Sequence, residues 1–304
     1  MISNPAANPL FWPTAQIIGA ILASGLVLLL AVERQHLAEL HRRTLFQRWA
    51  VWAAIALVYS LAVLSGPIGM LFLVGLIVFQ SLREYCELVG LPPLYRTVLL
   101  AMGLAMGPLA VWAPEAFFGV LPLLLILATL QPLLTQDVRT GMTRLAFAAL
   151  GFGYLPLLLW HLVLIETSVP GGPGLLLALA LAVALSDVGA FTVGKLFGRH
   201  KLTPLVSPNK TWEGVAGNLL GAFVGTILTS FALPPARAWL LLVVLPVVVA
   251  AGAVWGDLVE SLLKREFGTK DAGAWLPGFG GLLDRVDSLI VVAPLTYYLL
   301  RALP

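Results

Sequence analysis

The 304 residues are 60% hydrophobic and 11% charged, with mean hydropathy +0.96 and a formal net charge of +3. That composition excludes an ordinary soluble domain, and so small a net charge gives no support to a nucleic-acid partner. A lone cysteine, Cys86, excludes an intrachain disulfide and a cysteine-cluster metal site.

Ten apolar segments are predicted, at roughly 15–32, 49–65, 68–82, 98–113, 116–131, 145–165, 175–197, 215–233, 238–256 and 288–302. A helix needs about 20 apolar residues to cross the hydrocarbon core, and several segments are shorter. The pairs within 49–82 and 98–131 leave room for interfacial or re-entrant pieces, so nine to ten spans are expected. Alternating strands of about ten residues are absent, which speaks against a membrane barrel. The expected fold class is all-α, a polytopic integral membrane helical bundle, because lipid leaves backbone groups no partner but their own helix. Tight turns at Gly66-Pro67, Pro114-Glu115 and Pro234-Pro235 separate paired segments.

Residues 1 to 14 contain no Lys or Arg, unlike the charged start of a cleavable signal peptide, so a retained first helix with an outside N-terminus is expected. With that orientation one side, counting Lys195 at a helix end, holds 16 of the 18 Lys and Arg residues, leaving Arg237 and Arg301 on the other. The positive-inside rule then puts the basic loops in the cytoplasm, and the expected location is a bacterial inner membrane. The stretch from Arg34 to Arg43 reads as a topology signal at an anionic leaflet. His36, His41 and His161 are scattered, giving no histidine metal site, and His200 reads as a loop histidine near Arg199 and Lys201. Residues 1–165 are expected to form a transmembrane scaffold, and 166–304 a catalytic region with a polar site facing the cytoplasm.

Three polar patches interrupt the second half. Asp187 follows a long apolar run, where an ionisable group costs about 2.5–3.5 kcal/mol to insert. It either pairs with Lys195 or Lys210, or forms the wall of a site beside Ser186. Residues 198–214 combine Arg199, Lys201 and Lys210 with Ser207, Asn209, Thr211 and Glu213, stiffened by Pro204 and Pro208. This is no Walker loop, and it reads either as a topology device or as a phosphate-binding loop.

Residues 261–287, SLLKREFGTKDAGAWLPGFGGLLDRVD, gather eight charged residues and five glycines in 27 positions. As a helix, Asp257, Glu260, Ser261 and Lys264 share one face, as do Asp284 and Asp287. Amphipathic surface packing and ion pairing with Arg285 would give the same spacings. Aspartates so spaced can also bind a divalent cation, with basic groups beside them for phosphate. Glycines such as Gly280 and Gly281 let backbone amides approach a ligand.

These motifs resemble the phosphatidate cytidylyltransferase (CDP-diacylglycerol synthase) family, whose signature runs S-x-x-K-R, K-D, a Gly-rich H-G-G stretch, then D-R-x-D. SDVGAF at 186–191 and GKLFGRHKLTPLVSPNKTWEG at 194–214 are similar to the preceding blocks, so the resemblance covers about 186–290. It implies a nucleotidyltransferase joining CTP to phosphatidate, with release of pyrophosphate, at the membrane lipid surface. It further implies Mg²⁺, with a second cation, on Asp257, Asp284 and Asp287. Lys210, Lys264, Arg265, Lys270 and Arg285 would neutralise phosphates, with Asp187 and Asp271 in the catalytic set. Ser207, Asn209, Thr211, Glu213, Ser261, Gly280 and Gly281 would bind substrate, and a homodimer is implied. Phe279 stands where the family has the histidine of H-G-G. A phenylalanine cannot exchange a proton, which leaves three alternatives: another lipid phosphate, a polyprenol kinase using CTP, or a catalytically silent paralogue. A transporter coupled through Asp187 is a reading of another class, with no repeats or matched broken helices to support it.

Overall fold

A computed structural model describes residues 4–34, 43–134, 136–270, 272–273, 275 and 280–303. Among them, twelve α-helices and one two-stranded hairpin occur. Every predicted apolar segment lies largely on helix, with 215–233 running past a helix end at Leu228. α1 (Phe11–Val32), α2 (Thr44–Leu64), α3 (Pro67–Leu88) and α4 (Pro93–Trp112) are followed by α5 (Val120–Leu134). Next come α6 (Gly141–Tyr154), α7 (Pro156–Leu159) and α8 (His161–Ser168), short pieces in near-continuous succession. The second half holds α9 (Gly172–Phe197), α10 (Trp212–Leu228), α11 (Ala238–Glu266) and α12 (Leu283–Ala302). Among the described residues, seven stretches are long and apolar enough to cross a membrane: α1 to α4, the α6–α8 run, α9, and Pro235–Glu266 including α11. α5 and α10 are shorter, with 15 and 17 residues, and α12 carries charged groups at both ends.

The α6–α8 run lies at the centre. It breaks before Pro156, which has no N–H to continue the ladder. His161 through Glu166 are all buried. Trp160 donates its indole N–H to the Gly103 carbonyl at 2.7 Å, and Tyr59 reaches the Leu176 carbonyl at 3.1 Å. These bonds tie α4 to the central run and α2 to α9.

α9 and α10 pack more closely than ordinary side chains allow. A Cβ at Gly189 would fall 2.2 Å from the Gly217 carbonyl oxygen, and one at Gly221 would fall 2.0 Å from that of Leu185. Small residues let helix backbones approach in lipid, where dispersion rather than water drives association. Gly221→Val is therefore expected to push the two helices apart and sharply reduce the amount of folded protein recovered in detergent. Exposed Leu220→Val, on the same helix, should be recovered like the parent.

α11 has 29 residues, or about 44 Å at 1.5 Å per residue, more than the hydrocarbon thickness. Its C-terminal turns, Asp257 to Glu266, therefore carry the charged residues at one end of the bundle. α9 ends and α10 and α12 begin at this same end.

Candidate active site

A cavity of about 730 Å³ opens where α9, α10, α11, α12 and the hairpin meet. The hairpin pairs β1 (Lys201–Thr203) with β2 (Ser207–Thr211) antiparallel, Lys201 opposite Thr211 and Thr203 opposite Ser207. Thr211 caps α10 by accepting the Gly214 amide at 3.1 Å. Ser207, Asn209, Lys210 and Thr211 thereby line the cavity. Glu213 faces elsewhere. It accepts the Arg199 amide at 3.1 Å and meets the His200 ring at 2.7 Å, so it braces the hairpin's entry. Arg265 donates to the Val206 carbonyl at 3.4 Å and braces the hairpin's tip.

Asp187 opens onto the cavity from α9. Neither lysine weighed for it is its ion-pair partner: Lys210 pairs with Asp257 at 2.5 Å, and Lys195 stands 5.5 Å over the Phe191 ring. The face predicted along α11 is formed. Ser261 donates to Asp257 at 3.2 Å, and Lys264 to Glu260 at 2.8 Å.

The carboxylates converge in a set that differs from the predicted one. Oxygens of Asp257, Glu260 and Asp287 lie within 4.8 Å of one another. Glu260 Oε1 is buried with no hydrogen-bond partner among the described residues. Asp284 also lines the cavity, but both its oxygens are engaged. Oδ1 accepts Lys264 at 2.7 Å, while Oδ2 accepts the amides of Ala272 at 3.0 Å and Gly281 at 2.9 Å. Glu260 therefore stands where Asp284 was expected. The i, i+3 spacing puts Asp284 and Asp287 about 60° apart around the helix axis, which is enough to give them different neighbours.

Arg285 lines the cavity, whereas Lys270 is exposed and away from it. Ser261, Gly280 and Gly281 are not on the cavity wall, and Gly280 supplies a left-handed turn with φ +82°. Asp271 and Phe279 lie outside the described residues.

Two residues escaped sequence reasoning. Asn218 is buried on the cavity wall with its side-chain oxygen unpartnered among the described residues. Its only signal was a carboxamide in the apolar stretch of α10. Glu84 of α3 accepts the amides of Leu282 at 3.0 Å and Leu283 at 2.8 Å, and Gln80 at 2.8 Å. It belongs to the half read as scaffold, and nearly 200 positions separate it from the amides it holds.

The fold and the site define a polytopic helical membrane protein with a cavity lined by both carboxylates and cationic side chains at one end of its last four helices. The Cytidylyltransferase family profile matches residues 46–303, and the chain belongs to that family. It is 46% identical to the phosphatidate cytidylyltransferase of Mycobacterium leprae over 133 residues, 44% of this chain and 42% of that protein's length. It is 35% identical to the phosphatidate cytidylyltransferase of Pseudomonas aeruginosa over 244 residues, covering 79% of this chain and 90% of the relative. An Escherichia coli protein called uncharacterized protein YnbB is 34% identical over 265 residues, 84% of this chain and 86% of its own.

Proposed function

We propose that the protein transfers the cytidylyl group of CTP to phosphatidate, giving CDP-diacylglycerol and pyrophosphate. The observation that carries this reading is one cavity in which Asp257, Glu260 and Asp287 converge beside Lys210 and Lys264. Family membership and the names of two relatives support the same chemistry. The excess of Lys and Arg in one set of loops favours a cavity facing the cytoplasm, where CTP is available.

In the reaction, a phosphate oxygen of the lipid attacks the α-phosphorus of CTP. The bond from that phosphorus to the bridging oxygen breaks, and its electron pair leaves with pyrophosphate. No protein nucleophile is needed, so the protein's work is positioning and charge compensation. Among the described residues, the cavity wall holds five carboxylates, Asp187, Asp257, Glu260, Asp284 and Asp287, against five cationic groups, Lys195, Lys201, Lys210, Lys264 and Arg285. A wall so balanced cannot neutralise a triphosphate without cations that come with it.

The donor set fits Mg²⁺. It is all oxygen and closely spaced, with one buried oxygen lacking a partner among the described residues. Asp257, Glu260 and Asp287 would hold the ion, which supplies charge neutralisation at the phosphates under substitution. Lys210, fixed by Asp257 at 2.5 Å, presents its ammonium to the cavity. Asp284 orients Lys264 rather than holding a cation.

Purified protein with CTP, phosphatidate and Mg²⁺ is expected to place α-phosphate label in the lipid, and excess EDTA should abolish it. Transfer of γ-phosphate label with release of CDP would replace this reading with a kinase. Absence of both turnover and Mg²⁺-dependent CTP binding would replace it with a silent lipid-binding protein.

A further inference from the structure

We propose that Glu84 of α3 is a positioning residue for cytidylyl transfer, which holds the start of α12 so that Asp284, Lys264 and Glu260 keep their register at the cavity. The proposal rests on the function proposed above and extends it to a residue far from the catalytic segment in sequence.

Glu84 is 4% exposed, on the only charged stretch of α3. An isolated carboxylate buried there would be costly, so its partners matter. Both oxygens accept backbone amides at the start of α12: Oε1 from Leu282 at 3.0 Å, Oε2 from Leu283 at 2.8 Å. The first amides of a helix have no partner within the helix and carry its positive dipole end, so a carboxylate there satisfies them in both respects. Gln80, one turn earlier, donates to Oε1 at 2.8 Å and sets the rotamer.

The fit is tight on the other side as well. A Cβ on Gly281 would stand 2.5 Å from Glu84 Oε2, and one on Gly273 would stand 2.9 Å from the carboxyl carbon. Glycine at both places lets the carboxylate sit between the two strands of backbone. Gly281 in turn donates its amide to Asp284 Oδ2 at 2.9 Å, and Asp284 Oδ1 accepts Lys264 at 2.7 Å. Lys264 then reaches Glu260 at 2.8 Å. Charge-assisted hydrogen bonds, joined through the backbone of residues 281 to 283, thus lead from α3 to one of the three converging carboxylates.

Substrate does not need to touch Glu84 for this to matter. Small misplacements of a site's supporting groups cost turnover out of proportion to their size. Replacing the carboxylate by a carboxamide turns an N–H₂ group toward an amide donor, which loosens the helix start while preserving volume.

The test combines kinetics with hydrogen exchange on the full chain in detergent micelles. Glu84→Gln is expected to lower kcat about 10–100-fold, change the KM for CTP less than about threefold, and raise the Mg²⁺ concentration needed for half-maximal rate. Amides 281 to 283 should exchange at least about tenfold faster, with the rest of α12 near parent rates. Gln80→Ala, which frees the carboxylate without removing it, should show the same pattern more weakly. Gly281→Ala should show it too, and the double variant Glu84→Gln/Gly281→Ala should be little worse than either single variant.

Turnover and Mg²⁺ dependence like the parent's in Glu84→Gln would overturn the proposal, as would unchanged exchange at 281 to 283. Should Glu84→Gln fail to fold, Gln80→Ala decides by the same readouts. A parent protein without cytidylyl transfer would overturn the proposed function instead. The exchange arm would still report whether Glu84 holds the helix start.

Discussion

Asp257→Asn is expected to lower cytidylyl transfer about 10²–10³-fold while leaving the protein's recovery from membranes unchanged. Removing a single pre-placed electrostatic partner from an active site has costs of this size. The substitution keeps volume and can keep the Ser261 hydrogen bond, which reaches Asp257 Oδ1 at 3.2 Å. It removes one of three carboxylates whose oxygens lie within 4.8 Å of one another and releases Lys210 from its 2.5 Å pair. Cation affinity should fall, so part of the loss should return at high Mg²⁺, a trend visible in a titration of label transfer. Ser261→Ala removes only the hydrogen bond and should cost less than about tenfold. Asp257→Asn with activity within about threefold of the parent at ordinary Mg²⁺ would rule the carboxylate set out.

The second large effect is on stability. Lys264 lies between two carboxylates, with side chains 15% exposed for Lys264, 2% for Glu260 and 3% for Asp284. Breaking a buried ion pair by removing one member costs about 3–5 kcal/mol, because the remaining charge loses its compensation. Lys264→Met should therefore lower the thermal transition in detergent by on the order of 10 °C for a chain of this size and abolish turnover. Lys264→Met/Glu260→Gln should recover part of the transition, since one uncompensated charge is gone. Activity should not return, because one of the three converging carboxylates has gone with it. Asp284 retains the Ala272 and Gly281 amides in either variant, which limits the damage at α12. A transition unmoved by Lys264→Met would show that solvent or other groups compensate the pair of carboxylates.

Much of the helical layout is legible in the residues. The ten apolar segments lie largely on helices because hydrocarbon leaves the backbone no other way to satisfy its hydrogen bonds. The shared face of Asp257, Glu260, Ser261 and Lys264 is legible for a related reason, since helical period alone places i, i+3, i+4 and i+7 together. The break at Pro156, within one predicted segment, falls at a residue whose chemistry announces it. The hairpin at 201–211 was less visible, because Pro204 and Pro208 mark a constrained loop without specifying that its arms pair.

The sequence by itself determined a helical membrane protein with a polar, charge-rich region in its last four helices. Those features follow from local composition and period. Only the tertiary structure decided that Glu260 joins Asp257 and Asp287 while Asp284 turns to Lys264 and two amides. Only it brought Glu84 from α3 to the start of α12 and exposed Asn218 to the cavity. The physical reason is that period assigns a residue to a face of its own helix. What that face meets depends on helix crossings set by close glycine contacts, such as Gly256 against the Asp287 backbone, across long stretches of chain.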